Sequence, residues 1–207
     1  MTVVSTSYLK SLLKDTLKRQ RKFSFSLPDE TGAEISYIPS KKKIFWPGQI
    51  GGLNFRYQME KYNSTETTKL RKGTKNYFRI VRKDGNIIRI DCFYDKKCDT
   101  ILLLHYEGNK RFAFPYLENG EISQSYVQIQ EYNDQNDVVL EFLVRSRQVV
   151  CYEYWQTNTN IVQQRCIFYG PKTKDLEQNT IGGYYLLGDH LSYIETLRPA
   201  DLSYSNM

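Results

Sequence analysis

Two histidines, four cysteines and no apolar stretch of about 18 residues set the first limits on this 207-residue chain. Without such a stretch, no helix of this sequence spans a bilayer. His105 closes the apolar run Thr100–Leu104 and reads as a core or rim residue rather than a base. His190 follows Gly188-Asp189, and adjacent strand residues point to opposite faces, so Asp189 and His190 do not form an oriented acid–base pair. No Gly-x-Ser-x-Gly stretch supplies a nucleophile for either histidine. Cys92, Cys98, Cys151 and Cys166 lack any Cys-x-x-Cys or Cys-x-x-His spacing, which argues against zinc. Lys10 and Lys14 interrupt the N-terminal apolar residues, so no secretory signal is read there, and free thiols in a cytoplasmic protein are expected. Cys98 stands beside Lys96 and Lys97, whose charges are expected to lower its pKa. The glycines of "GQIGG" at 48–52 do not match a phosphate-binding pattern and read as a turn or bulge. No metal or cofactor is expected.

What the chain does hold is aromatic residues and unevenly distributed charge. Aromatics make up 14%, with 17 Tyr against 10 Phe and 2 Trp. Tyr suits a half-buried pleated surface, where its ring packs and its hydroxyl stays wet, so the composition favours strands. Residues 1–83 contain 18 Lys and Arg against 6 Asp and Glu, a net +12, whereas residues 84–207 hold 11 against 17, a net −6. A basic first part can face nucleic acid, an anionic membrane surface or an acidic partner. It can equally face the acidic second part of its own fold or of a twin subunit.

The hydrophobic pattern predicts one domain over 1–207, with an N-terminal helix within 1–22 and a regular β-meander over 77–196. Leu9, Leu12, Leu13 and Leu17 recur at helical spacing behind the capping candidates Ser5, Thr6 and Ser7. Lys10, Lys14, Lys18, Arg21 and Lys22 fall mostly on the other side, the solvated face of a helix packed on its own sheet. Short extended pieces are expected at 22–26 and 34–38, and 51–62 reads as a strand with Leu53, Phe55 and Tyr57 on one face. The polar stretch 63–76 reads as a long mobile connection. Strands are predicted at 77–82, 86–94, 100–106, 111–116, 124–131, 137–145, 148–155, 161–169, 181–187 and 190–196. Turn formers separate them, and Asp84-Gly85 between alternating apolar residues is the clearest hairpin signal. No second helix is expected. The fold class that follows is mostly β, an antiparallel meander of about 8–11 strands closed as a barrel or sandwich with one N-terminal helix.

Three constellations bear on function. Asp91, Glu107 and Lys110 have the residue types of a nuclease metal core, but the order Glu107-Gly108-Asn109-Lys110 puts a turn between acid and base, so hairpin flanks are the better reading. The meander layout resembles ligand-carrying barrels of the lipocalin and calycin kind, although Trp46 is followed by Pro-Gly and the Gly-x-Trp signature is absent. That resemblance implies a small hydrophobic or aromatic ligand inside the barrel, in a carrier or in a lyase or isomerase acting on it. The third constellation mixes cations with aromatics: Lys41, Lys42, Lys43 and Trp46, then Lys69, Arg71, Lys72 and Lys75. Lysine and arginine neutralise phosphates while an exposed indole stacks on a base. The resulting expectation is a non-catalytic binding protein whose basic N-terminal part engages a polyanion, nucleic acid first. A self-assembling protein whose basic and acidic parts meet between copies is the third expectation.

Overall fold

A computed structural model describes residues 4–23, 25–40, 48, 50–122, 126–158, 161–170, 177–187 and 190–196, with backbone only for Thr6, Leu53, Asn54, 155–158, 161–168, 177–187 and 190–196. Helix α1 (Thr6–Lys22) starts where extended Ser5 accepts a hydrogen bond from the Tyr8 N–H at 3.2 Å. That bond satisfies one of the helix's orphan donors. Arg19, Arg21 and Lys22 occupy its last turn, where the helix dipole favours cations. Leu9, Leu12 and Thr16 are buried, while Lys10, Lys14 and Lys18 are exposed, as the leucine spacing predicts. Burying Leu9 alone contributes roughly 1.5–3 kcal/mol.

The body is an eleven-stranded antiparallel meander whose spatial order repeats the chain order. Its strands are β1 (Glu34–Pro39), β2 (Tyr77–Lys83), β3 (Asn86–Tyr94), β4 (Lys97–Glu107), β5 (Lys110–Tyr116) and β6 (Val127–Tyr132), then β7 (Val138–Arg145), β8 (Gln148–Asn158), β9 (Ile161–Tyr169), β10 (Glu177–Leu187) and β11 (His190–Thr196). All ten strands predicted from residue 77 onward are present, with shifted ends. Asp84 and Gly85 take φ of 51° and 77° and close β2 on β3, with Lys83 paired to Asn86. That left-handed pair matches the twist of the flanking strands. Among the described residues no pairing joins β1 to β11, so the ladder is open at its ends. The outer edge of β1 is bridged by Thr67, which exchanges backbone hydrogen bonds of 2.7 and 2.8 Å with Tyr37. Among the described residues no helix is long and apolar enough to cross a membrane.

One expectation fails outright. Residues 53–61 form helix α2 (Leu53–Lys61), not a strand, and a second helix therefore exists. Phe55 is buried and Met59 packs against the same apolar cluster, one helical turn apart. The alternation of Leu53, Phe55 and Tyr57 is compatible with both periods over so short a run. The tertiary surface decides, because α2 docks against apolar side chains of β2, β3 and β4.

Strands β4 and β5 are buried on both faces. Ile101, Leu103, Phe112 and Phe114 join α1 in one cluster, while Leu102 and Ala113 join Ile80, Ile90, Ile50 and Phe55 in the other. This explains their near-continuous apolar sequences. Helix α2 also lies against β11. A nine-residue helix that meets both β2 and β11 requires the sheet to curl around it. Helix α1 packs on the outer face and α2 on the inner one.

Candidate functional site

The expected basic residues do not share one fate. Lys41, Lys42, Lys43 and Trp46 lie outside the described residues. Lys69, Arg71 and Lys72 are exposed on the connection between α2 and β2 and make no ion pair among the described residues. This connection is not wholly free, since the Thr67 bridge and the 3.1 Å Thr74 N–H to Arg71 carbonyl bond tie it down. Lys75 is drawn to Asp95 at 3.2 Å, with both side chains exposed. Several cations of the sheet and of α2 are neutralised within the fold. Arg79 and Arg89 grip Glu30 and the buried Asp91, with Arg79–Asp91 at 3.0 Å and Arg89–Asp91 at 2.5 Å. The hydrogen bonds from Arg79 hold the Glu30 carboxyl below its usual range. Arg82 pairs with Glu66 and Arg56 with Glu60.

Helix α1 behaves differently. Lys10, Lys14, Lys18, Arg21 and Lys22 are exposed and form no ion pair among the described residues. Four of them recur every fourth residue, which lays the cations along about 18 Å of one helix flank. Only Asp15 interposes an acid, and it accepts a hydrogen bond from Ser11 at 3.2 Å. Arg19, on the same helix, is instead paired with Glu107.

That pairing also separates the nuclease-like residues. Glu107 goes to Arg19, Lys110 to Glu131 at 2.7 Å, and Asp91 to Arg79 and Arg89. Glu107 and Lys110 are register partners across the β4–β5 turn, as their spacing implies. His105 is exposed and packs edge-on against Phe23 with centroids 5.7 Å apart, while the side chain of His190 is outside the described residues. The expectation for Cys98 is overturned: burial, aided by Asp91, pushes its thiol up to about 11. Both lysines are exposed, Lys96 in the turn at φ 66° and Lys97 at the first position of β4, while Cys98 is partly buried.

The curl of the sheet creates a second site that the strand pattern concealed. Inward side chains of β5 to β8 form a buried polar chain beneath Gly48, Ile50 and Gly52. Arg111 donates through one Nη to the carbonyls of Gly48, at 3.1 Å, and Ile50, and to Gln130 Oε1. Gln130 Nε2 donates to Glu141 at 2.6 Å, and the Tyr154 hydroxyl donates to the other Glu141 oxygen at 2.5 Å. Tyr132 donates to Gln130 Oε1 at 2.9 Å. Burial pushes the Glu141 carboxyl up to about 7, against the lowering influence of Tyr154, Gln130 and Arg111. Gly48 and Gly52 of GQIGG are there for close approach, whereas Gly51 meets open space and takes φ 95°. A Cβ on Gly48 would stand 2.2 Å from Gln128 Oε1, and one on Gly52 would stand 2.0 Å from Glu141 Oε1.

Above this chain opens a cleft of about 1010 Å³, between α2 and the β2–β3, β4–β5 and β6–β7 turns. Arg111, Tyr132 and Tyr154 reach it from below, and Asn109 and Asn136 line it from the turns. Sequence reasoning missed Arg111, Gln130, Glu141 and Tyr154. The available signal was a polar residue at every second position of "VQIQEY" and a lone Glu141 between Leu140 and Phe142. An antiparallel hairpin with one wet face has the same alternation. Comparison with protein families, with curated proteins and with solved structures finds no match for this chain.

Proposed function

We propose that the protein binds a polyanion, nucleic acid first, through exposed cations of its N-terminal part. The observation that carries this reading is the contrast between paired and unpaired cations. Arg79, Arg82 and Arg89 of the sheet are spent on Glu30, Asp91 and Glu66, whereas the flank of α1 and the 69–72 segment keep their cations facing solvent. Exposed lysines that serve no internal partner are available to release counterions from phosphates. Trp46 remains the stacking candidate. The solvent-facing flank of α1 shifts the emphasis from the Lys41–Lys43 triplet to Lys10, Lys14 and Lys18.

Fluorescence anisotropy with a labelled single strand, run from about 50 to 200 mM salt, tests the reading. Changing Lys10, Lys14 and Lys18 together to alanine should weaken binding for every sequence. It should also flatten the salt slope by about 0.7 for each phosphate left without a cation. Parallel triple changes at Lys41–Lys43 and at Lys69, Arg71 and Lys72 apportion the rest. Unchanged affinity and slope in all three variants would reject polyanion binding by these residues.

The finer fold, a closed barrel or sandwich, and the calycin-like carrier that a barrel implies have less to support them. Closure would require β1–β11 hydrogen bonds, and α2 with the Arg111–Glu141 chain occupies the inner side where an apolar ligand would sit. Self-assembly through opposite charges is weakened by the same internal pairing that neutralises Arg79 and Arg82.

A further inference from the structure

We propose that the cleft above β5 to β8 is a binding site for a small polar molecule bearing a carboxylate or phosphate, which the Arg111 guanidinium anchors from the floor. Arg111 is only 6% exposed. The other cations that line the cleft each have a carboxylate of their own: Arg56 has Glu60, Arg82 has Glu66, and Lys110 has Glu131. Arg111 has none. Its hydrogen bonds go to two backbone carbonyls and a glutamine, all uncharged, and its Nε finds no acceptor among the described residues. The hydrogen-bonded path to Glu141 runs through Gln130, and burial pushes that carboxyl up, against ionisation. A buried cation held by neutral dipoles is an incomplete pair, and an oxyanion is what completes it.

The surroundings restrict what can carry that anion. Asp137 is the single carboxylate of the lining, and it sits exposed at the β6–β7 turn. Asn109 and Asn136 supply uncharged donors and acceptors at the rim, and the Tyr132 ring lies 5.9 Å from the Arg111 guanidinium carbon. The volume, about 1010 Å³, lies at the upper end of small-molecule sites. The site therefore suits a small polar anion rather than an apolar ligand. It stands apart from the cationic flank of α1, which packs on the opposite face of the sheet.

The experiment is a titration of the intact ¹⁵N-labelled chain with sodium phosphate and, separately, sodium acetate, followed through the arginine Nε–Hε resonances. Sodium chloride at matched ionic strength is the control. One resonance, lost in Arg111→Lys, should move saturably with phosphate or acetate, with a dissociation constant on the order of 1 mM or tighter. The arm that saturates first identifies the anion class. Gln135→Trp, at the exposed rim, should block the cleft and weaken that binding at least about tenfold without touching the floor. It decides the matter should Arg111→Lys fail to fold. Shifts that grow without saturation, that appear equally in chloride, or that persist unchanged in Gln135→Trp would overturn the proposal and leave Arg111 as a purely structural clamp on Gly48 and Ile50.

Discussion

Glu141 gives the sharpest quantitative test of the inner polar chain. It is wholly buried, and its carboxyl is pushed up to about 7 by loss of water. In the unfolded chain it titrates near the ordinary value of about 4.3. An acid whose folded pKa is raised stabilises the fold fully below the unfolded value. That contribution is lost as pH rises through the folded one. The difference of nearly three units corresponds to about 3–4 kcal/mol, lost between roughly pH 4 and pH 7. Glu141→Gln keeps the shape and removes the charge. Its amide can still donate to the Tyr154 oxygen and accept from Gln130, the two groups now bonded to Glu141. Urea unfolding of both proteins at pH 5, 6, 7 and 8 isolates the residue. Relative to the parent, the variant should gain stability as pH rises, by roughly 1.4 kcal/mol per pH unit at the steepest. A stability difference that stays constant over this range would show that Arg111 and the hydrogen bonds hold Glu141 as an ordinary carboxylate, and the argument from burial would fail.

Three further outcomes follow from the same geometry. Gly52→Ala should destabilise by about 1–3 kcal/mol in thermal unfolding, because its methyl would stand 2.0 Å from Glu141 Oε1; Gly52→Ala combined with Glu141→Ala should recover part of that loss if the clash is the cause. Leu9→Ala should cost about 2–5 kcal/mol by opening a cavity between α1 and the outer face of the sheet. Cys98 should react with a disulfide reagent at pH 8 far more slowly than a free thiol and approach the free rate in denaturant, since burial holds it as the neutral thiol. Equal rates in the native and unfolded protein would contradict its burial.

The meander could be read in the sequence because each hairpin carries local instructions. Asp84-Gly85 encodes its own turn, and Ile80, Ile90 and Leu102 find one another through period-two spacing. Helix α1 was legible because its leucine stripe, Leu9 to Leu17, spans more than two turns. Helix α2 was not, since nine residues give both periodicities room, and Gly52 offers no side-chain cap to break the tie. The polar chain was hidden for a related reason. Gln128, Gln130 and Glu141 alternate with apolar residues as a solvated face would, and what buries them is a segment far away in the sequence. Charge was legible in amount and not in use. The count of cations in 1–83 does not say that Arg79 and Arg82 are committed to carboxylates while Lys14 and Lys18 are not.

The bridge between Tyr37 and Thr67 gives the 64–72 connection a duty unrelated to its charge. It shields the rim of the first strand, where bare amides and carbonyls would otherwise recruit a strand from another molecule. Excising that connection to strip its lysines would thus trade a charge experiment for an aggregation experiment. The cations there have to be exchanged one side chain at a time, with the guard rail left standing.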